Sequence, residues 1–362
     1  GAGPVGADPR AAAAFAARQY LPTADWRAEI AEVLRSGEPA MLLLGGDATG
    51  EDGLVAASRI AAATGARLLC ETFPTRLARG AGLPAVERLG YFAEAAADQL
   101  DGVKQLILAG ARSPVSFFAY PGKASDLVPP GCDVHILAEP GQATAALTAL
   151  ADEVAADATP TLTPPNRPPL PTGALTGVSI AQAVGALLPQ DAIVVDESNT
   201  AGLTLPAATS GAPQHDWLTL TGGAIGYGLP AAVGAAIAAP DRPVLCLQAD
   251  GSAMYTPSAL WTMAREQLNV TTVIYNNGAY DILRLELQRV GAQAAGAPGP
   301  RAEALLDLDP PRLDFVALAR GMGVDARRAT TAEEFTAALA EALASPGPQL
   351  IDAMIPSLMG GT

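Results

Sequence analysis

From Thr159 to Gly173 the chain reads Thr-Pro-Thr-Leu-Thr-Pro-Pro-Asn-Arg-Pro-Pro-Leu-Pro-Thr-Gly, six prolines with almost nothing between them to bury. Proline fixes φ and lacks an N–H, so neither a helix interior nor a central strand can run through such a stretch. The segment is therefore expected to be extended and to divide the molecule. Before it, apolar runs of strand length at Ala40–Leu44, Arg67–Cys70, Gln105–Ala109 and Val134–Leu137 alternate with helical patterns at Trp26–Arg35, Leu54–Ala63 and Gln142–Val154. After it the rhythm resumes, with strands expected at Ala192–Val195, Trp217–Thr221, Pro243–Gln248, Val270–Tyr275 and Gln349–Met354. Helices are expected between them at Ile180–Leu187, Pro230–Ala238, Pro257–Leu268, Phe315–Gly321 and Ala332–Ala344. Such alternation belongs to an α/β architecture, here two open parallel-sheet domains flanked by helices. We expect an N-terminal linker over 1–22, one domain over 23–158, the proline-rich connection over 159–175 and a second domain over 176–362.

Charge narrows the function. The 362 residues carry 22 Lys and Arg against 37 Asp and Glu, a net charge of −15, the wrong sign for neutralising the phosphates of a nucleic acid. With 49% hydrophobic and only 5% aromatic residues, the composition suits closely packed α/β layers and excludes a disordered tail. Cys70, Cys132 and Cys246 form no CxxC pair, which speaks against a disulfide framework or a zinc knuckle and for a reducing cytoplasm. The first residues lack the basic flank and apolar core of a signal peptide. The longest apolar stretch, Ala224–Ala239, is broken by Gly226, Gly228, Pro230 and Gly234, so no membrane span is expected.

One βαβ crossover carries the chemistry. The strand Pro243–Gln248 runs into Ala249-Asp250-Gly251-Ser252, a helix of about 12 residues returns over about 18 Å, and the strand Val270–Tyr275 runs into Asn276-Asn277-Gly278. Asp250 and Asn277 should then emerge side by side. A carboxylate and an amide at neighbouring strand ends suit Mg²⁺, which takes a few protein oxygens and completes its octahedron with phosphate and water. Gly251 lets the backbone approach, and the amides around Gly251-Ser252 can face an anion. Read singly, Asp-Gly and Asn-Gly are ordinary turn dipeptides; it is their placement at adjacent strand ends that suggests a metal-bridged diphosphate site.

These residues resemble the fingerprint of the thiamin-diphosphate-dependent enzymes of the acetolactate synthase, benzoylformate decarboxylase and pyruvate decarboxylase type: Gly-Asp-Gly-Ser, a helix and strand, then Asn-Asn. Here 27 positions separate Asp250 from Asn277, and Ala249 replaces the first Gly. The resemblance implies Mg²⁺ on Asp250, Asn277 and the backbone oxygen of Ala279, with Asn199, Thr200, Gly251 and Ser252 on the diphosphate of the cofactor and Tyr280 lying against it. It also implies that Thr221–Pro230 cradles the aminopyrimidine, through the carbonyl of Gly223 and the bulk of Ile225; Ile282 is expected to face substrate from its position alone. The part before the proline segment resembles the Rossmann-like central domain of the same enzymes, and the part after it their diphosphate-binding domain.

In this superfamily a glutamate on a separate pyrimidine-binding domain, usually from a partner subunit, activates the cofactor. No counterpart of that domain is seen, so the resemblance implies an N-terminally incomplete chain or one half of a split enzyme, with its catalytic residues unknown. Glu197 and Glu71 lack the context of that glutamate, and surface or structural roles are expected for both. His135 and His215 are the two histidines, expected in a strand and in a Pro-flanked loop respectively. The segment Tyr280-Asp-Ile-Leu-Arg284-Leu-Glu286 stands where true acetolactate synthases carry a Met and Gln-Trp, and their flavin is not implied. The function expected is decarboxylation of a 2-oxo acid, with carboligation as an option, in a homodimer or homotetramer. A benzoylformate decarboxylase-like activity is the first alternative. Two others remain open: a nicotinamide dehydrogenase, because Gly226-Tyr-Gly228-Leu-Pro-Ala231 also fits a dinucleotide fingerprint, and a non-catalytic cofactor-binding subunit.

Overall fold

The computed structural model describes residues 26–119, 122–289 and 299–358. They form two compact units, one running to residue 74 and over 86–161, the other comprising 75–85 and the chain from 162 onward. The expected linker at 1–22 lies outside the described residues. No helix among the described residues is long and apolar enough to cross a membrane.

The first unit holds strands β1 (Ala40–Leu44), β2 (Arg67–Cys70) and, beyond a strand β3 (Leu77–Arg79) that joins the other unit, β4 (Glu87–Arg88), β5 (Gln105–Ala109) and β6 (Asp133–Ala138). They form a wholly parallel sheet in the order β4-β2-β1-β5-β6. β1 and β5 are buried along their whole length. A parallel strand covered on both faces must be apolar at nearly every position, which is why these two read as unbroken runs. Met41, Leu43, Leu69, Leu100, Leu106 and Leu108 form the core of one face.

The second unit contains β7 (Ile193–Glu197), β8 (His215–Thr219), β9 (Val244–Ala249), β10 (Val270–Asn276), β11 (Asp325–Ala329) and β12 (Gln349–Met354). The sheet order is β11-β12-β10-β9-β7-β8-β3, parallel except for β3, which runs antiparallel to β8. β3 is fastened by side chains: Arg76 grips Asp216 with two hydrogen bonds of 2.6 and 3.0 Å, and the Arg79 guanidinium lies 5.1 Å from the centre of the Trp217 ring. The proline-rich segment holds no helix or named strand and, from residue 162 onward, is pinned along this unit. Thr163 exchanges backbone bonds with Gly82 and Leu83, Asn166 pairs with Gly211, and Arg167 donates to the Leu188 carbonyl. Capping boxes at Thr176 with Ser179 and at Thr331 with Glu334 start the helices Gly177–Leu187 and Ala332–Ala344, each cap worth about 1 kcal/mol.

His215 departs from expectation. It begins β8 instead of sitting in a loop, because the strand starts two residues before Trp217. Its Nδ1 meets the Pro213 carbonyl at 2.7 Å, and burial above all lowers its pKa to about 4. It is a neutral packing residue at physiological pH. His135 lies in β6 as expected, with Nε2 2.6 Å from Gln105 Oε1.

Candidate functional site

Because β10, β9, β7 and β8 are parallel and consecutive in the sheet, the turns that follow them leave from one edge. Four segments singled out from the sequence therefore lie next to one another in order: 277–280 after β10, 250–253 after β9, 199–202 after β7 and 221–228 after β8. Ligands of open α/β sheets bind outside this edge.

Asp250 opens the short helix Asp250–Ala253 and is 2% exposed. Its Oδ1 accepts from the Gly251 amide at 2.8 Å and its Oδ2 from the Gly278 amide at 2.7 Å, tying the β9 turn to the β10 turn. Burial pushes its carboxyl up to about 6, against the lowering influence of these amides and that of Asn277. A nearby cation would favour the charged form that burial disfavours. Ala249, the position where a Gly is usual, has ordinary extended dihedrals (φ −73°, ψ 147°), so its methyl strains nothing.

The Asn277 side chain is held at both ends. Oδ1 accepts from the Ala279 amide at 3.0 Å, and Nδ2 donates to Asp281 Oδ2 at 3.0 Å. Asp281, 2% exposed, also accepts from the Ser357 hydroxyl at 2.5 Å and the Leu358 amide at 2.8 Å. Asn276 turns away from the edge and bonds Asp352 at 2.8 Å, so the two asparagines of the doublet do different work. Gly251 lies close under Tyr280, and a Cβ there would collide with that ring unless it moved. The Ser252 hydroxyl points inward, accepting from Gln248 Nε2 at 2.6 Å and donating to the Ala249 carbonyl at 3.2 Å. An anion at this turn would thus meet backbone amides, not that hydroxyl.

Asn199 adopts φ 53°, a left-handed conformation that asparagine tolerates, at the start of the 3₁₀ turn Asn199–Gly202. Asn199 and Thr200 are half-buried, and the helix Asp281–Arg289 packs against their turn. In the segment 221–228, Gly222, Gly223 and Gly226 all have positive φ (67°, 67° and 88°). This winding leaves Ile225, a large apolar residue, 46% exposed beside the half-buried Gly223. The inner end of the loop is gripped by Glu197, the last residue of β7. Its carboxylate is 1% exposed and accepts from the amides of Gly226 (2.6 Å) and Gly228 (2.5 Å). Glu197 is thus a buried anchor of the loop and not a surface residue. Glu71, half-buried, is raised by burial and accepts from the Gly46 amide within the first unit.

That grip also bears on the dinucleotide fingerprint. A pyrophosphate bound at the start of the helix Gly228–Ala238 would need the amides of Gly226 and Gly228. They already serve an anion of the protein itself.

The donor set at the β9 and β10 turns fits a hard divalent cation: one carboxylate, one amide oxygen and a backbone carbonyl, with no cluster of three or more His, Cys, Asp or Glu among the described residues to draw a softer metal. Sequence reasoning overlooked Gln248 and Asp281. Gln248 was signalled by its place directly after the apolar run Val244–Leu247 of β9, since a polar side chain buried in a central strand needs a partner. Asp281 gave no such signal, because its partners at 357 and 358 are distant in sequence.

Set beside known proteins, residues 200–353 match the family model described as thiamine pyrophosphate enzyme, C-terminal TPP binding domain. IlvX of Mycobacterium tuberculosis, named provisionally as an acetolactate synthase large subunit, is 71% identical over 331 residues, which cover 91% of this chain and 64% of IlvX. A benzoylformate decarboxylase of Pseudomonas aeruginosa is 33% identical over 370 residues, 93% of this chain and 66% of that protein. The solved thiamine diphosphate-dependent 4-hydroxybenzoylformate decarboxylase of Rhodococcus jostii RHA1 superposes with a TM-score of 0.74 at 28% identity, covering 92% of this chain and 64% of that one. The chain thus spans between 64% and 66% of the length of these relatives.

Proposed function

The chain belongs to the thiamine pyrophosphate-dependent enzymes, and from that premise we propose that it acts on a 2-oxo acid with thiamin diphosphate and Mg²⁺. The observation that carries the proposal is Asp250: a carboxylate 2% exposed, raised by burial, and joined through the Gly278 amide to the turn that bears Asn277. Asp250, Asn277 and the Ala279 carbonyl hold the metal. Asn199, Thr200 and the backbone of Gly251 and Ser252 hold the diphosphate, with Tyr280 against it. Gly223 accepts from the aminopyrimidine, Ile225 supports the bend of the cofactor, and Ile282 faces substrate. Bound there, the cofactor supplies an electron sink for the carbon that loses carboxylate. The chain's own residues fix its position, orientation and ionic environment.

Acetolactate synthase-like chemistry, decarboxylation followed by ligation to a second carbonyl, is the reading favoured by the 71% identity to IlvX. A benzoylformate decarboxylase-like reaction is second, supported by the Pseudomonas and Rhodococcus relatives. A pyrimidine-binding domain is expected to supply the activating glutamate. Three buried cysteines outside any disulfide, Cys70, Cys132 and Cys246, support a cytoplasmic location.

Calorimetric titration of the full chain in its native assembly tests the proposal. Thiamin diphosphate should bind with Mg²⁺ and bind far more weakly when the metal is chelated, while NADH should not bind. Tight NADH binding without metal, together with silence toward thiamin diphosphate, would overturn it.

A further inference from the structure

Glu197 stands at a junction. Its Oε1 accepts from Gly226 N at 2.6 Å, and its Oε2 accepts from Gly228 N at 2.5 Å and from Gln248 Nε2 at 3.0 Å. The same Gln248 Nε2 reaches Ser252 Oγ at 2.6 Å. One carboxylate therefore links the end of β7, the loop 221–228 and the turn after β9. Burying a charge is costly unless donors replace water; three N–H groups and the positive end of the helix Gly228–Ala238 offset that cost in part, and burial still raises the carboxyl above its ordinary value. The loop is closed from its other side by Thr256, whose hydroxyl donates to the Gly226 carbonyl at 2.8 Å. Space is tight on both sides: a Cβ on Gly226 would stand 2.6 Å from Tyr255 Cβ, and one on Gly228 would run into Gln248.

The two halves of the loop differ. Residues 226–228 are clamped, whereas 222–225 extend outward and include the exposed Ile225. The outer half, with Gly222 and Gly223 at positive φ, is a short 3₁₀ turn tied to the end of β8 by the Gly223 amide on the Leu220 carbonyl at 3.0 Å. Its path is set from two ends, the close of β8 and the anchored inner half.

We propose that Glu197 is a positioning residue for the pyrimidine half of the cofactor: through the Gly226 and Gly228 amides it holds the outer loop so that the Gly223 carbonyl and Ile225 meet the ring. This rests on the thiamin diphosphate reading above and adds a division of labour to it. The metal and diphosphate are held at the turns after β7, β9 and β10, and the ring is held through Glu197.

The test compares thiamin diphosphate with inorganic pyrophosphate, each with Mg²⁺, on wild type and Glu197→Gln. The variant keeps the side-chain size but places an NH₂ group against donors. Thiamin diphosphate affinity should fall at least tenfold while pyrophosphate affinity stays within twofold, and the amides of Gly226 and Gly228 should exchange with deuterium at least tenfold faster than in wild type. A general loss of fold would lower both affinities together, so an equal loss of both ligands overturns the proposal, as does unchanged thiamin diphosphate binding. If the variant does not fold, exchange in wild type decides: Gly226 and Gly228 amides as fast as the outer loop would show that no clamp exists. Wild type that binds Mg²⁺ and pyrophosphate but not thiamin diphosphate would remove the cofactor reading itself, an outcome distinct from either failure of Glu197.

Discussion

Asp47 and Asp250 occupy comparable places in two sheets of the same kind, each just past the carboxyl end of an inner parallel strand, and their surroundings drive them in opposite directions. Asp47 accepts from the Gly141 amide at 2.6 Å and the Thr144 amide at 2.9 Å, capping the helix Ala143–Val154. Burial opposes ionisation there, but the bonds from Thr144 and Gly141 outweigh it and hold the carboxyl below its ordinary value. Around it the backbone is closed up, since a Cβ on Gly45 would stand 2.7 Å from the Gly110 carbonyl oxygen across the neighbouring strand exits. Asp250 has amide donors too, yet burial prevails and raises it to about 6. An acidic residue at a strand end can complete its own fold, as Asp47 does, or leave an electrostatic deficit that a cation can offset, as Asp250 does.

The comparison breaks first on binding. Asp250→Ala should lower Mg²⁺-dependent thiamin diphosphate affinity at least 100-fold, about 2.7 kcal/mol, while Asp47→Ala leaves it within twofold by calorimetry. Equal effects would erase the distinction between the two strand ends.

Stability sharpens it with a change of sign. The folded pKa of Asp250 lies above its ordinary 3.8, so its favourable contribution is complete below about pH 4 and lost as pH rises through about 6. At pH 7 the buried carboxylate is a net cost to the metal-free protein. Asp250→Asn should therefore raise metal-free stability at pH 7 by on the order of 2 kcal/mol, and the gain should vanish near pH 4 in urea denaturation. Asp47 behaves in the opposite way: its contribution is present at neutral pH and lost on acidification. Removing that cap by Asp47→Ala should cost about 1 kcal/mol at pH 7.

Much of the scaffold was legible because burial on both faces leaves a plain record. The runs Ala40–Leu44, Gln105–Ala109 and Gln349–Met354 coincide with β1, β5 and β12. β11 escaped notice since Asp-Ala-Arg-Arg-Ala carries its charges outward along a sheet edge. The excursion of residues 75–85 into the second sheet is likewise silent in sequence, as it depends on Arg76 finding Asp216. At the candidate site, the parallel order of strands places the turns together, and that order can be read from alternation and crossover length alone. The supports of those turns cannot be read this way. Glu197 meets Gln248 and Asp281 meets Ser357 only after the chain has folded, and each pair spans tens of residues.

The central claim, that one divalent ion joins the β9 and β10 turns over a diphosphate, is tested most directly by a crystal structure with thiamin diphosphate and Mn²⁺ in place of Mg²⁺. The account requires an anomalous peak about 2 Å from an Asp250 carboxylate oxygen, Asn277 Oδ1 and the Ala279 carbonyl oxygen. Bound cofactor with the manganese elsewhere, or with those three oxygens turned away from it, would contradict the account.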